Sequence, residues 1–465
     1  MAEQLTGMDA AFLALETAEL PMHVLGVLLL DPSPGDGYSR ARLRQVVADR
    51  IHLMPPFGRQ LVTVPLSLDK PYWLEVADVD LSLHLFDDEV DPPGDARALG
   101  DLVGRIASRR LDRDRPLWEL HVVHGLAAGR VGLVAKVHHC TLYGAAGAEF
   151  IAALLDLEPN PPPLPAPPLP GPQDERPGAF ALTGRTLANQ LRWPLAAGRA
   201  VLSSGRGLIS ALPAVGRMIA GSGPATMPIA SPRTPISGPP TRARIAAFSA
   251  LPLEQAKQVK DAAGVKLNDV VLATIALALR RYLRARDAVP GRPLVVSCPL
   301  NAGEGETSGT NRLAALLVAL PMRESEPAEL LQLVHRNSAM AKEITGAAGT
   351  STLASLADVT PPAAVSVVTW LMRSLGLSAL QPALQNLIVS NVMGPPVALY
   401  LAGARIDAIY PLGPLLPGTG MNITVLSNLD RLDVGIMACP DLVADTWAIA
   451  DALPGCLEEL AAAFS

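Results

Sequence analysis

Two proline-rich stretches decide what this chain can fold into. NPPPLPAPPLPGPQDERP ends at Pro177, and PATMPIASPRTPISGPP ends at Pro240. Proline fixes φ and has no amide hydrogen to donate, so neither stretch can form a helix interior or a central strand. The first reads as a semi-rigid spacer leaving a folded unit. With 465 residues the chain has length for two or three domains. The expected division is residues 1–160, a Pro-rich and Arg-rich helical linker over 161–240, and a second unit over 241–465.

Both outer parts mix helical and strand periods. HVLGVLLL (23–30) is a strand, and SRARLRQVVADRIHLM a helix with Ser39 as its N-cap. PFGRQLVTV and PYWLEV read as strands, and 96–111 as an amphipathic helix. LWELHVVHGL and VGLVAKVHH form a hairpin joined at Ala127 to Arg130, and GAEFIAALLDL a helix after it. In the last part, LPLEQAKQVKDAAG is a helix closed by Gly264, and Asn268 or Asp269 is expected to cap a long apolar helix. RPLVVSCPL, LAALLVALPM and LIVSNVMGPP are strand-like, 327–345 and 361–380 helical, and Ala444 to Phe464 a last helix. The class is mixed α/β.

Composition removes several functions. A net charge of −6 argues against a nucleic-acid partner. Cys140, Cys298, Cys439 and Cys456 are scattered, with no metal-ligand spacing, so a reduced, cytoplasmic protein without a metal is expected. The N-terminus has no signal-peptide pattern, and no apolar run reaches membrane-spanning length. Residues 178–222 differ from the rest. Arg185, Arg192, Arg199 and Arg206 recur at every seventh position, and no acid lies between Glu175 and Glu254. On helices they form one basic stripe, which is either a segment lying on an anionic membrane or lipid-body surface or a helical linker packed over the domains.

The stretch VGLVAKVHHCTLYGAAG (131–147) carries the candidate chemistry. Strand alternation puts Leu133, Ala135, Val137 and His139 on one face, and Val134, Lys136 and His138 on the other. Gly144 and Gly147 follow, where backbone can approach a ligand closely. From these residues alone, one packed and one surface histidine is as good a reading as a site. There is no nucleophile elbow, phosphate loop, HExxH or dinucleotide fingerprint. What survives is a lone histidine base acting on a hydroxyl substrate.

His138 and His139 with Gly144 resemble the HHxxxDG motif of the bacterial wax ester synthase/diacylglycerol acyltransferase family. MDAAFLALE, LDRDRPLWELHVVHGL, KLNDVVLA, VSNVMGPP, YLAGARI and MNITVLS resemble further family segments in the same order. The resemblance implies two similar subdomains of condensation-domain-like (chloramphenicol-acetyltransferase-like) fold, each with a mixed sheet, and a channel between them. It implies transfer from long-chain acyl-CoA, a substrate rather than a cofactor, to diacylglycerol or a long-chain alcohol. His139 would be the general base beside His138. Gly144, Trp118 of the PLW segment, Asn268 and Asp269 of the ND pair, and Asn391 of the SNVxGP segment would lie near substrate. Trp118 as core and Asn268 as a helix cap are the competing structural readings. The chain departs from the family at Tyr143, where the motif has aspartate. Either the site is repacked and active, or the protein is a weakened homologue that binds acyl lipids or lipid-body surfaces. A lipid-surface role for 178–222 predicts liposome flotation that weakens with salt and is lost when the segment is deleted. Flotation unaltered by the deletion would make it a linker.

Overall fold

The computed structural model describes residues 3–32, 37–76, 78–141, 153–162, 178, 184, 186, 189, 231–300, 314–323, 325–348 and 384–464. Residues 142–152, which contain Tyr143 and Gly144, lie outside the described residues, as do the 361–380 segment and nearly all of the arginine-rich stretch.

The first part begins with β1 (Glu3–Gln4), α1 (Gly7–Leu15), β2 (His23–Asp31) and α2 (Arg40–Arg50). It continues through β3 (Arg59–Val62), β4 (Tyr72–Glu75), β5 (Leu85–Glu89), α3 (Ala96–Ala107), β6 (Trp118–His124) and β7 (Val131–His138). The second part holds β8 (Ile245–Pro252), α4 (Leu253–Ala263), α5 (Leu267–Arg284), β9 (Leu294–Leu300), β10 (Ala314–Leu320) and α6 (Pro327–Ala348). β11 (Leu387–Val392), β12 (Tyr400–Leu401), β13 (Ala404–Leu412), β14 (Met421–Asn428), β15 (Arg431–Ala438) and α7 (Thr446–Ala462) complete it. Local signals set several boundaries. Thr6 and Ser39 cap α1 and α2 through their hydroxyls, and Gly264 ends α4 at φ 66°, where a side chain would be strained. At α5 the capping falls to Asp269, one of the two expected residues, acting from inside the helix. Lys266 is the N-cap, and Asp269 sits in the first turn, its carboxylate accepting the Lys266 backbone N–H at 3.1 Å. Asn268 therefore does not cap the helix.

Two six-stranded mixed sheets carry the molecule, in the orders β12-β13-β2-β7-β6-β5 and β10-β9-β11-β14-β15-β8. In the first sheet β5 and β6 run parallel, and the other pairs are antiparallel. In the second, β11 is parallel to both β9 and β14. The β6–β7 hairpin forms as its sequence implies. The short strand β5, rich in acids, has no alternating apolar signal and was not expected. The larger surprise is β12 and β13. They lie far along the chain, in the part that otherwise builds the second sheet, yet β13 pairs with β2 from Arg405↔Asp31 to Leu412↔Leu25. A boundary at residue 241 divides the sequence, whereas in space the first sheet is finished by a strand pair from beyond it.

The halves share a core. Leu25 and Val27 of β2, Leu99, Val103 and Ile106 of α3, and Val134 of β7 belong to one apolar cluster with β8, β14, β15 and helices α4, α5 and α7. Leu99, Val103 and Ile106 recur at helical spacing, so α3 has one apolar face. Gly100 and Gly104 permit close approach: a β-carbon on Gly100 would overlap the Ala246 carbonyl, and one on Gly104 the Arg244 carbonyl. Helix α3 thus lies against the backbone of β8, the edge strand of the second sheet. Gly104→Val is expected to lower stability to chemical denaturation by about 1–3 kcal/mol, the usual cost of overpacking. Gly291→Ala, where a β-carbon meets only open space, should change it by less than about 0.5 kcal/mol.

Candidate active site

β7 pairs antiparallel with β2, and His23 stands directly opposite His138. The strand stops there. His139–Thr141 forms a single 3-10 turn, tied by the Thr141 hydroxyl donating to the His138 carbonyl at 2.7 Å. The Cys140 N–H donates to His138 Nδ1 at 3.1 Å. The His139 N–H donates to the Met22 carbonyl at 2.8 Å. Strand alternation therefore ends one residue earlier than the sequence implies, and His139 does not continue the Leu133–Ala135–Val137 face. It turns onto helix α1, where its ring stacks on Phe12 with centroids 4.0 Å apart and planes 21° from parallel.

The two histidines differ in role. His138 is buried; with Nδ1 accepting a backbone hydrogen, its neutral form carries the proton on Nε2, 3.4 Å from Glu16 Oε1. His139 is half-buried. Among the described residues its Nδ1 is sealed from solvent without a hydrogen-bond partner. Burial pushes the His139 pKa down to about 4, with the neighbouring His138 adding to the shift. At neutral pH the ring is uncharged and can accept a proton.

Glu16, at the end of α1, organises the inner layer. Its side chain is 1% exposed, with Oε1 3.2 Å from His23 Nε2 and Oε2 bonded to Arg113 Nη2 at 2.7 Å. Burial would raise its pKa, but the contacts with His138 and His23 outweigh that and hold it well below the usual carboxylate value. His23 is pushed down to about 4, chiefly by burial, against the pull of Glu16. Further across the same face, the fully buried Lys136 ammonium meets Glu119 at 3.1 Å, and His121 bonds Asp88 at 2.7 Å. These groups alternate with Val134, Leu25 and Val27, which pack toward the second half of the chain. The sequence reading passed over Glu16, Phe12, His23 and Arg113. An acid closing an otherwise apolar helix was the one available signal; the His23–His138 pairing depends on strand register.

The other sequence candidates do not gather at this point. Trp118 is a core residue, stacked between Phe57 and His84 at 4.6 and 4.2 Å, its indole N–H donating to the Phe57 carbonyl at 3.0 Å. At 1% exposure it has no surface to offer a ligand, so the core reading replaces substrate contact. Asn268 and Asp269 line a small cavity at the start of α5. Asn391 is exposed on β11, opposite Val425. Gly144 lies outside the described residues. The four cysteines are free and buried, and among the described residues no group of acids, histidines and cysteines could hold a metal ion. No single described helix is long and apolar enough to cross a membrane.

A family model for the wax ester synthase/diacylglycerol acyltransferase catalytic domain matches residues 5–271, and one for the family's C-terminal domain matches 309–461. This chain belongs to that family. A Mycobacterium tuberculosis H37Rv protein assigned as a diacylglycerol O-acyltransferase is 35% identical over 463 residues, covering 98% of this chain and 90% of the relative. A second from the same strain is 34% identical over 453 residues, covering 95% and 92%. Among solved structures, the wax ester synthase/diacylglycerol acyltransferase of Marinobacter aquaeolei VT8 superposes with a TM-score of 0.69 at 26% identity, covering 99% of each chain. The first condensation domain of the calcium-dependent antibiotic synthetase shares the fold, with a TM-score of 0.54 at 16% identity, covering 99% of this chain and 97% of that one. The wax ester synthase/diacylglycerol acyltransferase family is thus an acyltransferase family with a condensation-domain-like fold, and the paired mixed sheets here are that fold.

The buried cluster sets the acid stability of this family member. His23 and His139 bind protons less readily folded, at about 4, than unfolded, near 6.5. Their share of stability is complete above pH 6.5 and is lost as pH falls toward 4. Glu16, depressed below 4.5, adds a further loss under more acid conditions. The melting temperature should therefore fall steadily on acidification below pH 6.5. Glu16→Gln should cost about 1–3 kcal/mol at neutral pH by leaving Arg113 and the imidazoles without their anion.

Proposed function

We propose that the chain transfers the acyl group of a long-chain acyl-CoA to the hydroxyl of diacylglycerol, giving triacylglycerol, or of a long-chain alcohol, giving a wax ester. The observation that carries the reading is the position of His139: a neutral imidazole just past the end of a buried strand, its ring stacked on Phe12 and its backbone tied to the Met22 carbonyl. The names of its relatives supply the substrate classes.

In the reaction, His139 Nε2 takes the proton of the acceptor hydroxyl as that oxygen attacks the thioester carbonyl. The tetrahedral intermediate collapses, the carbon–sulfur bond breaks, and CoA leaves as thiolate, which recovers the proton from the imidazolium. A thiol with a pKa of about 8.5 is a good enough leaving group for this to need neither a covalent acyl-enzyme nor a cofactor. His138 and Glu16 act behind His139: they fix the turn that aims it and do not reach the reacting atoms. An apolar surround serves the chemistry in a second way, because it keeps the imidazole deprotonated and excludes water that would compete with the alcohol.

Purified protein supplied with palmitoyl-CoA and either dioleoylglycerol or hexadecanol should release CoA, followed with a thiol reagent. His139→Ala should reduce that release about 10²–10⁴-fold, the usual worth of a positioned base. Release unchanged in the variant would refute the assignment. The base must be neutral to act, so the acid limb of kcat/KM should lie near pH 4, with a plateau through neutrality. An acid limb at 6.5 would mean that the titrating group is an exposed imidazole instead.

A further inference from the structure

A second cluster of polar groups lies away from the histidine pair. Its cavity, of ≈ 30 Å³, is lined by Lys266, Asn268, Asp269, Leu316, Val318, His335, Ser338, Ala339 and Lys342. The sequence explains the convergence. His335, Ser338, Ala339 and Lys342 share one face of α6 at helical spacing, and Leu316 and Val318 share one face of β10. Lys266 is the residue from which α5 starts, so this 18-residue helix presents its N-terminus, with its partial positive charge, to the same space.

Most of the acid in the cluster is already committed. Asp269 Oδ2 accepts the Lys266 N–H at 3.1 Å and bonds His335 Nδ1 at 2.7 Å. That leaves two ammonium groups against one paired carboxylate. Lys342 is held below the ordinary lysine value by partial burial and by the Lys266 charge beside it. Two like charges brought together at the mouth of a cavity, in a chain of net charge −6, are a poor arrangement unless an anion joins them. An independent sign of a missing ligand is Ser338. It is 5% exposed and lines the cavity, yet its hydroxyl has no hydrogen-bond partner. A buried hydroxyl left unpaired costs stability, and such groups mark places where a ligand or water completes the site.

We propose that Lys266, Lys342, His335 and Ser338, together with the N-terminus of α5, form a phosphate-binding subsite for the nucleotide end of the acyl-CoA donor. The cavity's lining of two ammonium groups, an imidazole and a hydroxyl suits an anionic group rather than an acyl chain. Within an acyl-CoA, only the phosphates carry negative charge; the thioester, pantetheine arm and acyl chain are neutral. The assignment of CoA as the source rests on the proposed acyl transfer. The subsite itself does not, because phosphate binding can be read without turnover.

The test is equilibrium binding to the full chain by calorimetry, with CoA, 3′-dephospho-CoA, pantetheine and inorganic phosphate as probes, alongside flotation with phosphatidylglycerol vesicles. Charge-assisted contacts of this kind correspond to about tenfold or more in affinity. Lys266→Ala/Lys342→Ala should weaken CoA by at least that factor and shift the Kd for pantetheine by less than twofold. Ser338→Ala should weaken CoA by a smaller factor, and Lys342→Arg should restore most of what Lys342→Ala loses. Equal weakening of CoA and pantetheine, or no weakening of CoA, would overturn the proposal. Loss of vesicle binding with CoA affinity intact would assign the phosphate to a lipid headgroup and overturn the CoA assignment. Absence of CoA release in the turnover assay, with CoA binding still sensitive to the lysines, would refute acyl transfer and leave the subsite standing.

Discussion

The geometry of the candidate site depends on one buried carboxylate. Glu16 sits within 3.5 Å of His23, His138 and Arg113, and with almost no solvent access it must remain ionised through those partners. Burying a charge is tolerable only when neighbours replace the lost water. Here the replacement joins three parts of the chain: the end of α1, the paired ends of β2 and β7, and the loop before β6. The result is a fixed turn at His139–Thr141. His139 gains its orientation from this arrangement, as the first residue past the strand.

The same economy governs the larger fold. β2 lies in the middle of the first sheet, with β7 on one side and β13 on the other. Because β13 comes from the far part of the chain, the sheet carrying the histidines is incomplete until both halves are present. The small side chains at Gly100 and Gly104 let α3 lie on the backbone of β8, which shields an edge strand and extends a single apolar core through both halves. A candidate site placed at such a junction is coupled to the folding of the whole chain.

Under the proposed acyl transfer, the distribution of charge follows substrate chemistry. Among the described residues, the His139 ring lies against Phe12 and beside His138, an apolar and a neutral group that suit an alcohol and a thioester. The two lysines at the start of α5 and on α6 form the opposite environment, suited to an anion. A donor with a neutral reactive end and a polyanionic nucleotide end calls for both.

The sequence by itself determined the local pieces. Helix caps at Ser39 and Gly264, the β6–β7 hairpin, the histidine pair at a strand end and the family segments were legible, because each is set by neighbours a few residues away. The short strand β5 was not, since acids conceal its period, and the choice between Asn268 and Asp269 as the capping side chain fell to Asp269, which reaches back to the Lys266 N–H from within the helix. Tertiary structure alone decided which strand lies beside β2, that Trp118 is core, that Glu16 is the anion under the histidines, and that Asn268 and Asp269 stand with lysines. These are contacts between residues tens to hundreds of positions apart. Burial and register select them, and neither is written in a local pattern.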